Sequence, residues 1–517
     1  MTSFPGLSKP CLVVADQVMT SRPSGTVRCR MSGADEEAVT RAQPLLHPAS
    51  MAVIGASARP GRPGHAAISA ARLYGFTGPL YPVTPRYDEI DGLVCYTDIA
   101  DVPGPVDLAV IAGAAGRAPG FLEQSIAAGV RGAIIFATLS REKDGGMSPV
   151  ERVTGMAREA GVPLLGPGSI GYVNYSASLA GTWIPPEPGY AKAGTIALIM
   201  QSGSLYAYCG HTDPRLRPCF IAHPGQEADF GTAEILNYAL SLPETRVVGL
   251  YLETVRDPAL FAQCLERADQ KNVPIVVFKP GRSARSAQAI TTHAGRLAGD
   301  DRIFDALFRR YHVARTDTMD EFYATLLMFS KMDVPGPGGL AAVKDSGGQR
   351  SVLLDEADRI GLPLAQFSDR TRGRLREVLA PDLPDDNPVD IWGGEENLVE
   401  HIEACIEIAL DDPDTALTAV FTELGAADGD VFVHSSTSAG INVARVAEKP
   451  VLAMTFSSRH FHPNNILKLD DAGLVVLEGV RTGLAAIKHL LDRRERKSGA
   501  TPDVVGLPYG APSLVNA

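Results

Sequence analysis

The stretch Gly194–Gly203, GTIALIMQSG, recurs later in the chain as Gly338–Gly347, GGLAAVKDSG. Each is an apolar run of strand length that ends in Ser-Gly just before a helical pattern. Two further pairs follow in the same order. PETRVVGLYLE (243–253) matches PDTALTAVFTE (413–423), each closing on a glutamate, and VPIVVFK (273–279) matches KPVLAMT (449–455). A repeated set of strands alternating with helices implies two similar α/β units, each built on a parallel sheet.

Toward the amino terminus the same alternation continues. SMAVI (50–54) runs into GASARPGRPG, Gly55 to Gly64, and the following AAISAARLYG reads as a helix closed by Gly75. A strand entering a Gly-rich turn that opens a helix directs backbone N–H groups at a docking anion. The next strand leads to Arg86 in PLYPVTPRY rather than to an acid. That cation suits a phosphate better than a ribose hydroxyl. VDLAVIA, GAIIFAT and VPLLGPG then add strands to a doubly wound sheet, whose ligands sit at the carboxyl ends of its strands. The Pro/Gly-rich PPEPGYAKAG separates this unit from the repeat. The expected organisation is a disordered extension over 1–45, units over 46–183, 190–332 and 333–495, and a tail over 496–517.

The 517 residues agree with three domains of roughly 150 each. The net charge of −12, without a Lys/Arg-rich block, argues against nucleic acid or an anionic membrane surface as partner. No apolar run approaches the roughly 20 residues that span a bilayer. Seven scattered cysteines with no CxxC pair point to a reducing cytoplasm.

Three features carry candidate chemistry. QAITTHAGRLAG (288–299) holds His293 among small residues, reading as an open loop with an imidazole at its tip. A helix with Ile303, Phe304, Leu307 and Phe308 on one face follows it. Glu253 ends its strand where a carboxylate can accept a ring N–H and leave the other nitrogen nucleophilic. The turns Ser202-Gly203 and Ser346-Gly347-Gly348 each open a helix with free N–H groups. If the repeats face each other, both point at one phosphoryl group. Taken singly, each has an ordinary reading as a loop histidine, a solvated strand end or a Ser/Gly turn. Glu423, at the repeat position of Glu253, has no following histidine loop and reads as structural. His460 and His462 read as a surface loop, and Cys209 as buried packing.

As a set these motifs resemble the α subunit of NDP-forming acyl-CoA synthetases of the ADP-forming acetate–CoA ligase type, and more distantly succinyl-CoA synthetase α. VIGASARPG, VTPRYDEIDG and GPGSIGYVN resemble that family's CoA-binding segments. IMQSGSL, LYLE, THAGRLAG, KDSGG and NPVDIWGG (387–394) resemble its phosphate, glutamate and phosphohistidine signatures. The resemblance implies a Rossmann-like CoA-binding domain followed by two flavodoxin-like domains. It implies CoA contacts at Gly55, Ser57, Pro60, Gly64, Arg86, Ala137 and Thr138, and phosphate contacts at Ser202, Gly203, Gly347 and Gly348. His293 would be the phosphorylated residue and Glu253 its orienting partner, with no metal site on this chain. No stretch resembles an ATP-grasp domain, so ATP/ADP with Mg would sit on a separate β subunit of a hetero-oligomer. The acid would be a small carboxylate. In place of the family's usual Asn-Lys the chain has Gln226-Glu227. Two other readings stay open: a CoA-dependent acyl or carbamoyl transferase without a nucleotide step, and a non-catalytic CoA-binding regulator.

Overall fold

The computed structural model describes residues 33–143, 146–185, 193–209, 213–294, 299–392, 397–424, 431–458 and 463–497. The first parallel sheet is built from β1 (Met51–Ile54), β2 (Leu80–Val83), β3 (Leu108–Ile111), β4 (Gly132–Ile135) and β5 (Leu164–Leu165), in the order β2-β1-β3-β4-β5. Met51 is in register with Leu80 on one side and Leu108 on the other. The strands are short and apolar because helices cover both faces of the sheet. The chain reverses its winding at β1, and the turn after β1 meets the end of β3 there. A Cβ on Gly55 would lie 3.0 Å from the Gly113 amide nitrogen, and one on Gly64 would lie 2.5 Å from the Gly55 carbonyl oxygen. Only glycine fits either position. Helix α1 (Pro63–Leu73) follows Arg62, which makes no side-chain cap, while its carbonyl accepts from the His65 amide at 3.0 Å and the Ala66 amide at 2.9 Å.

The sequence GYVN, within the stretch expected as the first unit, forms a strand that pairs with the second sheet. β6 (Gly171–Asn174) and β7 (Leu179–Thr182) form an antiparallel ribbon that pairs with the second sheet. That sheet continues with β8 (Ile196–Met200), β9 (Pro218–His223), β10 (Val247–Tyr251), β11 (Ile275–Phe278) and β12 (Ala314–Thr316), in the order β12-β11-β10-β8-β9-β6-β7. The third sheet has β13 (Gly339–Lys344), β14 (Val389–Asp390), β15 (Thr415–Phe421), β16 (Val451–Met454) and β17 (Val476–Leu477), ordered β14-β13-β15-β16-β17. Read from β9 and from β14 the two orders agree strand for strand, so the sequence repeat is a repeat of topology.

The amino-terminal extension also differs from expectation. Residues 1–32 lie outside the described residues, but Gly33–Leu46 is a helix with Ala42, Leu45 and Leu46 fully buried. Arg41 reaches Asp229 at 2.6 Å, and the Leu46 carbonyl accepts from Asn174 at 3.2 Å. This helix therefore ties the first sheet to the second. Buried Arg215 ties the second to the third through Asp213, Glu478 at 2.7 Å and the Val476 carbonyl at 3.2 Å. Arg217 and Lys331, both ion-paired to buried Asp470, add to that join.

Candidate functional site

The carboxyl ends of the first and second sheets enclose a cavity of about 340 Å³. Thr138, Arg141 and Gly168 line it from the first sheet's side. Gly203, His223, Glu227 and Glu253 line it from the second. Gln226 joins the two walls. Its carboxamide accepts from the Leu139 amide and donates to the Leu139 carbonyl, both at 3.0 Å, while Arg141 donates to its backbone oxygen at 2.9 Å.

Gln201, at the end of β8, organises the floor. Its Oε1 accepts from the amides of Glu253 at 2.6 Å and Thr254 at 3.0 Å. Its Nε2 donates to the Thr254 carbonyl at 2.8 Å, Thr232 Oγ1 at 3.0 Å and Glu227 Oε1 at 3.3 Å. One side chain thus fixes the backbone from which Glu253 projects. Glu227, the acid in place of the family's cation, is buried and accepts from the Thr232 amide at 2.7 Å. It satisfies the open end of the helix Thr232–Ala239, an ordinary use of a carboxylate at a positive helix terminus.

Lys279 ends β11 buried beneath Glu253, donating to the Glu253 carbonyl at 3.5 Å and the Pro280 carbonyl at 3.3 Å. Its Nζ also lies 4.3 Å from the centre of the Phe304 ring, and burial lowers its pKa. Phe304 belongs to the helix Asp301–Arg310, which Arg315 fastens through Asp301 and Asp305. The strand end bearing Glu253 and the segment following His293 are therefore anchored to one lysine.

The expected loop around His293 is partly helical. Ala284–Ala294 forms a helix, with Ile290 buried and the Thr291 and Thr292 hydroxyls bonded to carbonyls four residues back. Alanine and glutamine favour helix, and nothing before Gly295 breaks it. His293 occupies the last turn. Its side chain and residues 295–298 lie outside the described residues, as do His460 and His462.

His223 had no signal in the sequence. It ends β9 buried, and its Nδ1 accepts the Ile170 amide at 3.0 Å. The ring proton therefore resides on Nε2, which lies 3.6 Å from where a Cβ on Gly203 would stand. Burial pushes its pKa down to about 4, with the nearby Gln201 carbonyl acting in the opposite sense, so the imidazole is neutral at pH 7.

The remaining expected residues fall into two groups. Gly55, Ser57, Pro60, Gly64 and Arg86 stand at the carboxyl edge of the first sheet outside the cavity lining, and so does Ala137. Arg86 is exposed, and Ser57 Oγ accepts from the Arg59 amide at 3.1 Å. Ser202 accepts from the Leu205 amide at 3.4 Å and adjoins the lining without joining it. Gly347 and Gly348 open the helix Gly347–Ile360 at the matching place of the third sheet, also outside the cavity. A Cβ on Gly347 would lie 3.1 Å from Asp390 Oδ2, so a carboxylate flanks that helix start. Beside it, buried Lys344 has an unpartnered Nζ, and burial lowers its pKa to about 8. Glu423 accepts from the Phe456 amide at 2.9 Å, and burial raises its pKa. Cys209 packs against the Tyr323 hydroxyl, with burial raising its pKa to about 11.

Comparison with known proteins fits this arrangement. Residues 49–175 match the CoA binding domain family, and residues 193–329 match the succinyl-CoA ligase like flavodoxin domain family. The chain is 31% identical over 387 residues to the α subunit of an ADP-forming acetate–CoA ligase (I) of Pyrococcus furiosus, covering 73% of this chain and 81% of that one. It is 32% identical over 353 residues to an ADP-forming acetate–CoA ligase (II) of Archaeoglobus fulgidus, 67% of this chain and 52% of that protein. It thus spans about half the length of such longer relatives. An acetyl-coenzyme A synthetase of Candidatus Korarchaeum cryptofilum has the same fold, with a TM-score of 0.77 at 24% identity over 89% of this chain and 98% of that one. The chain belongs to the family of ADP-forming acetate–CoA ligases and related acyl-CoA synthetases.

Proposed function

We propose that this chain is the α-type subunit of an NDP-forming acyl-CoA synthetase that works with a separate ATP-grasp β subunit. The observation that carries the reading is the shared cavity, which brings Thr138 and Gly168 of the CoA-binding side against Gly203 and Glu253. In the synthetic direction ATP, held with Mg on the partner, phosphorylates His293 and leaves as ADP. A small carboxylate then takes the phosphoryl group, becoming an acyl phosphate and returning the imidazole. The CoA thiolate attacks the acyl carbon and phosphate departs. Glu253 orients His293. Ser202 and Gly203 hold the phosphoryl group from one side, and Gly347 and Gly348 meet it from the other when the partner is bound. The CoA phosphates and pantetheine arm lie along Gly55–Gly64, Arg86, Ala137 and Thr138. Preorganised donors of this kind stabilise developing charge without reorganising. Among the described residues no helix is long and apolar enough to cross a membrane, and we place the enzyme in the cytoplasm.

The test is reconstitution. The chain and an ATP-grasp β subunit are mixed with CoA, ATP, Mg and a panel of carboxylates, with acyl-CoA and ADP followed by mass spectrometry. The reading expects acyl-CoA and ADP only when both polypeptides are present. Acyl transfer to CoA with no nucleotide requirement in either direction would replace it with the transferase reading.

A further inference from the structure

We propose that His223 donates a hydrogen bond from its Nε2–H to the carbonyl oxygen of the acyl group as the CoA thiolate attacks. The inference rests on the acyl-CoA synthetase reading and names a residue for its thiol-transfer step. Three observations carry it. His223 lines the cavity between the first-sheet residues Thr138 and Gly168 and the second-sheet residues Gly203 and Glu253, where thiol and acyl phosphate would meet. Its tautomer is fixed, since the Ile170 amide occupies Nδ1 at 3.0 Å. Its backbone is fixed as well, because Ser169 Oγ donates to the His223 carbonyl at 2.5 Å and the ring edge packs on Tyr206 with centroids 6.3 Å apart. The Gln201 carbonyl is the acceptor beside the ring, and an acyl oxygen entering the cavity competes with it for the proton.

The repeat supports the placement. The end of β14, equivalent to the end of β9, carries Asp390, which reaches Gly347, the first residue of the helix after β13, as His223 reaches Gly203, the first residue of the helix after β8. In both units this strand end delivers a polar side chain to the same place, as an acceptor in the third unit and as a donor in the second.

The chemistry follows from the proton's position. When the thiolate sulfur bonds to the acyl carbon, the carbonyl π electrons move onto oxygen. A neutral N–H donor stabilises that oxyanion and keeps its proton. Collapse restores the carbonyl, breaks the bond to the phosphate oxygen and releases phosphate. Glu227 and Glu253 on the same cavity wall make an added fixed donor more valuable, because they repel the developing anion.

The experiment uses the chain with its β subunit and the nucleotide-free half-reaction, in which CoA and acetyl phosphate give acetyl-CoA and phosphate. His223→Leu, which removes the donor, is expected to lower kcat about 10²–10³-fold with KM for CoA within about twofold. His223→Gln, which returns an N–H near the Nε2 position, is expected to recover at least about a tenth of the wild-type kcat. In wild-type protein, ¹⁵N spectra at pH 7 should show a protonated Nε2 and an unprotonated Nδ1, with the Nε2 resonance moving when acetylphosphonate is added. An active wild type with an equally active His223→Leu variant, or a protonated Nδ1, overturns the inference and leaves the synthetase reading standing. A wild type that forms no acetyl-CoA, and none with any other acyl phosphate of the panel, overturns both.

Discussion

Gln201 holds Glu253 from below, its Oε1 2.6 Å from the Glu253 amide nitrogen. The two residues are far apart in sequence and end neighbouring strands, β8 and β10. Removing this carboxamide leaves the amides of Glu253 and Thr254 and the Thr254 carbonyl without the partner they have here. Each such group, part-buried here, costs up to about 1–3 kcal/mol when left unpaired. Gln201→Leu is therefore expected to lower stability by several kcal/mol in urea titration and to slow phosphorylation of His293 at least tenfold. Wild-type stability and rate in that variant would show that Glu253 does not depend on Gln201.

CoA affinity tests the first sheet. Arg86 is exposed beside the carboxyl edge, with no ion pair to a described residue. A phosphate–guanidinium hydrogen bond contributes about 1.5–3 kcal/mol, so Arg86→Ala is expected to weaken CoA at least about tenfold by calorimetry. Unchanged affinity, or tighter binding of NAD than of CoA, would contradict the assignment of this edge.

The neutral state of His223 makes a pH prediction. Its pKa is near 4 folded against 6.5 as the ordinary value. Between those values the unfolded chain binds the proton and the folded chain does not. Stability should therefore fall as pH drops from about 6.5 toward 4, by up to about 3 kcal/mol from this residue. Urea midpoints of wild type and His223→Gln across that range should converge at low pH, relative to their difference at pH 7. Parallel curves would show that His223 titrates normally.

The repeat was legible because short apolar runs closed by Ser-Gly or Glu recur in the same order, and strand order follows that order. The ribbon β6–β7 was not, since GYVN carries no mark of which sheet edge it will join. The helix Gly33–Leu46 was hidden by its internal Pro44, a residue that reads as a helix breaker. His223 was invisible for a different reason. What gives it a role is the amide of Ile170, met only when β6 packs against β9. Glu227 reads in sequence as a lost cation and in the fold as the cap of a helix that begins five residues later. Gln288–Ala294 showed the small residues of an open loop, and alanine's helix propensity prevailed.

Whether His293 carries a phosphoryl group is decided by one labelling measurement. The chain, its ATP-grasp partner and γ-labelled ATP are incubated, and the bound label is challenged with acid and with base. A phosphoramidate is lost in acid and survives base, the reverse of a phosphoserine at Ser202 or Ser346. Acid-labile, base-stable label is expected on His293, absent in His293→Asn and formed about 10²–10⁴-fold more slowly in Glu253→Gln. Acid-stable label, or full labelling of His293→Asn, would contradict a phosphorylated His293.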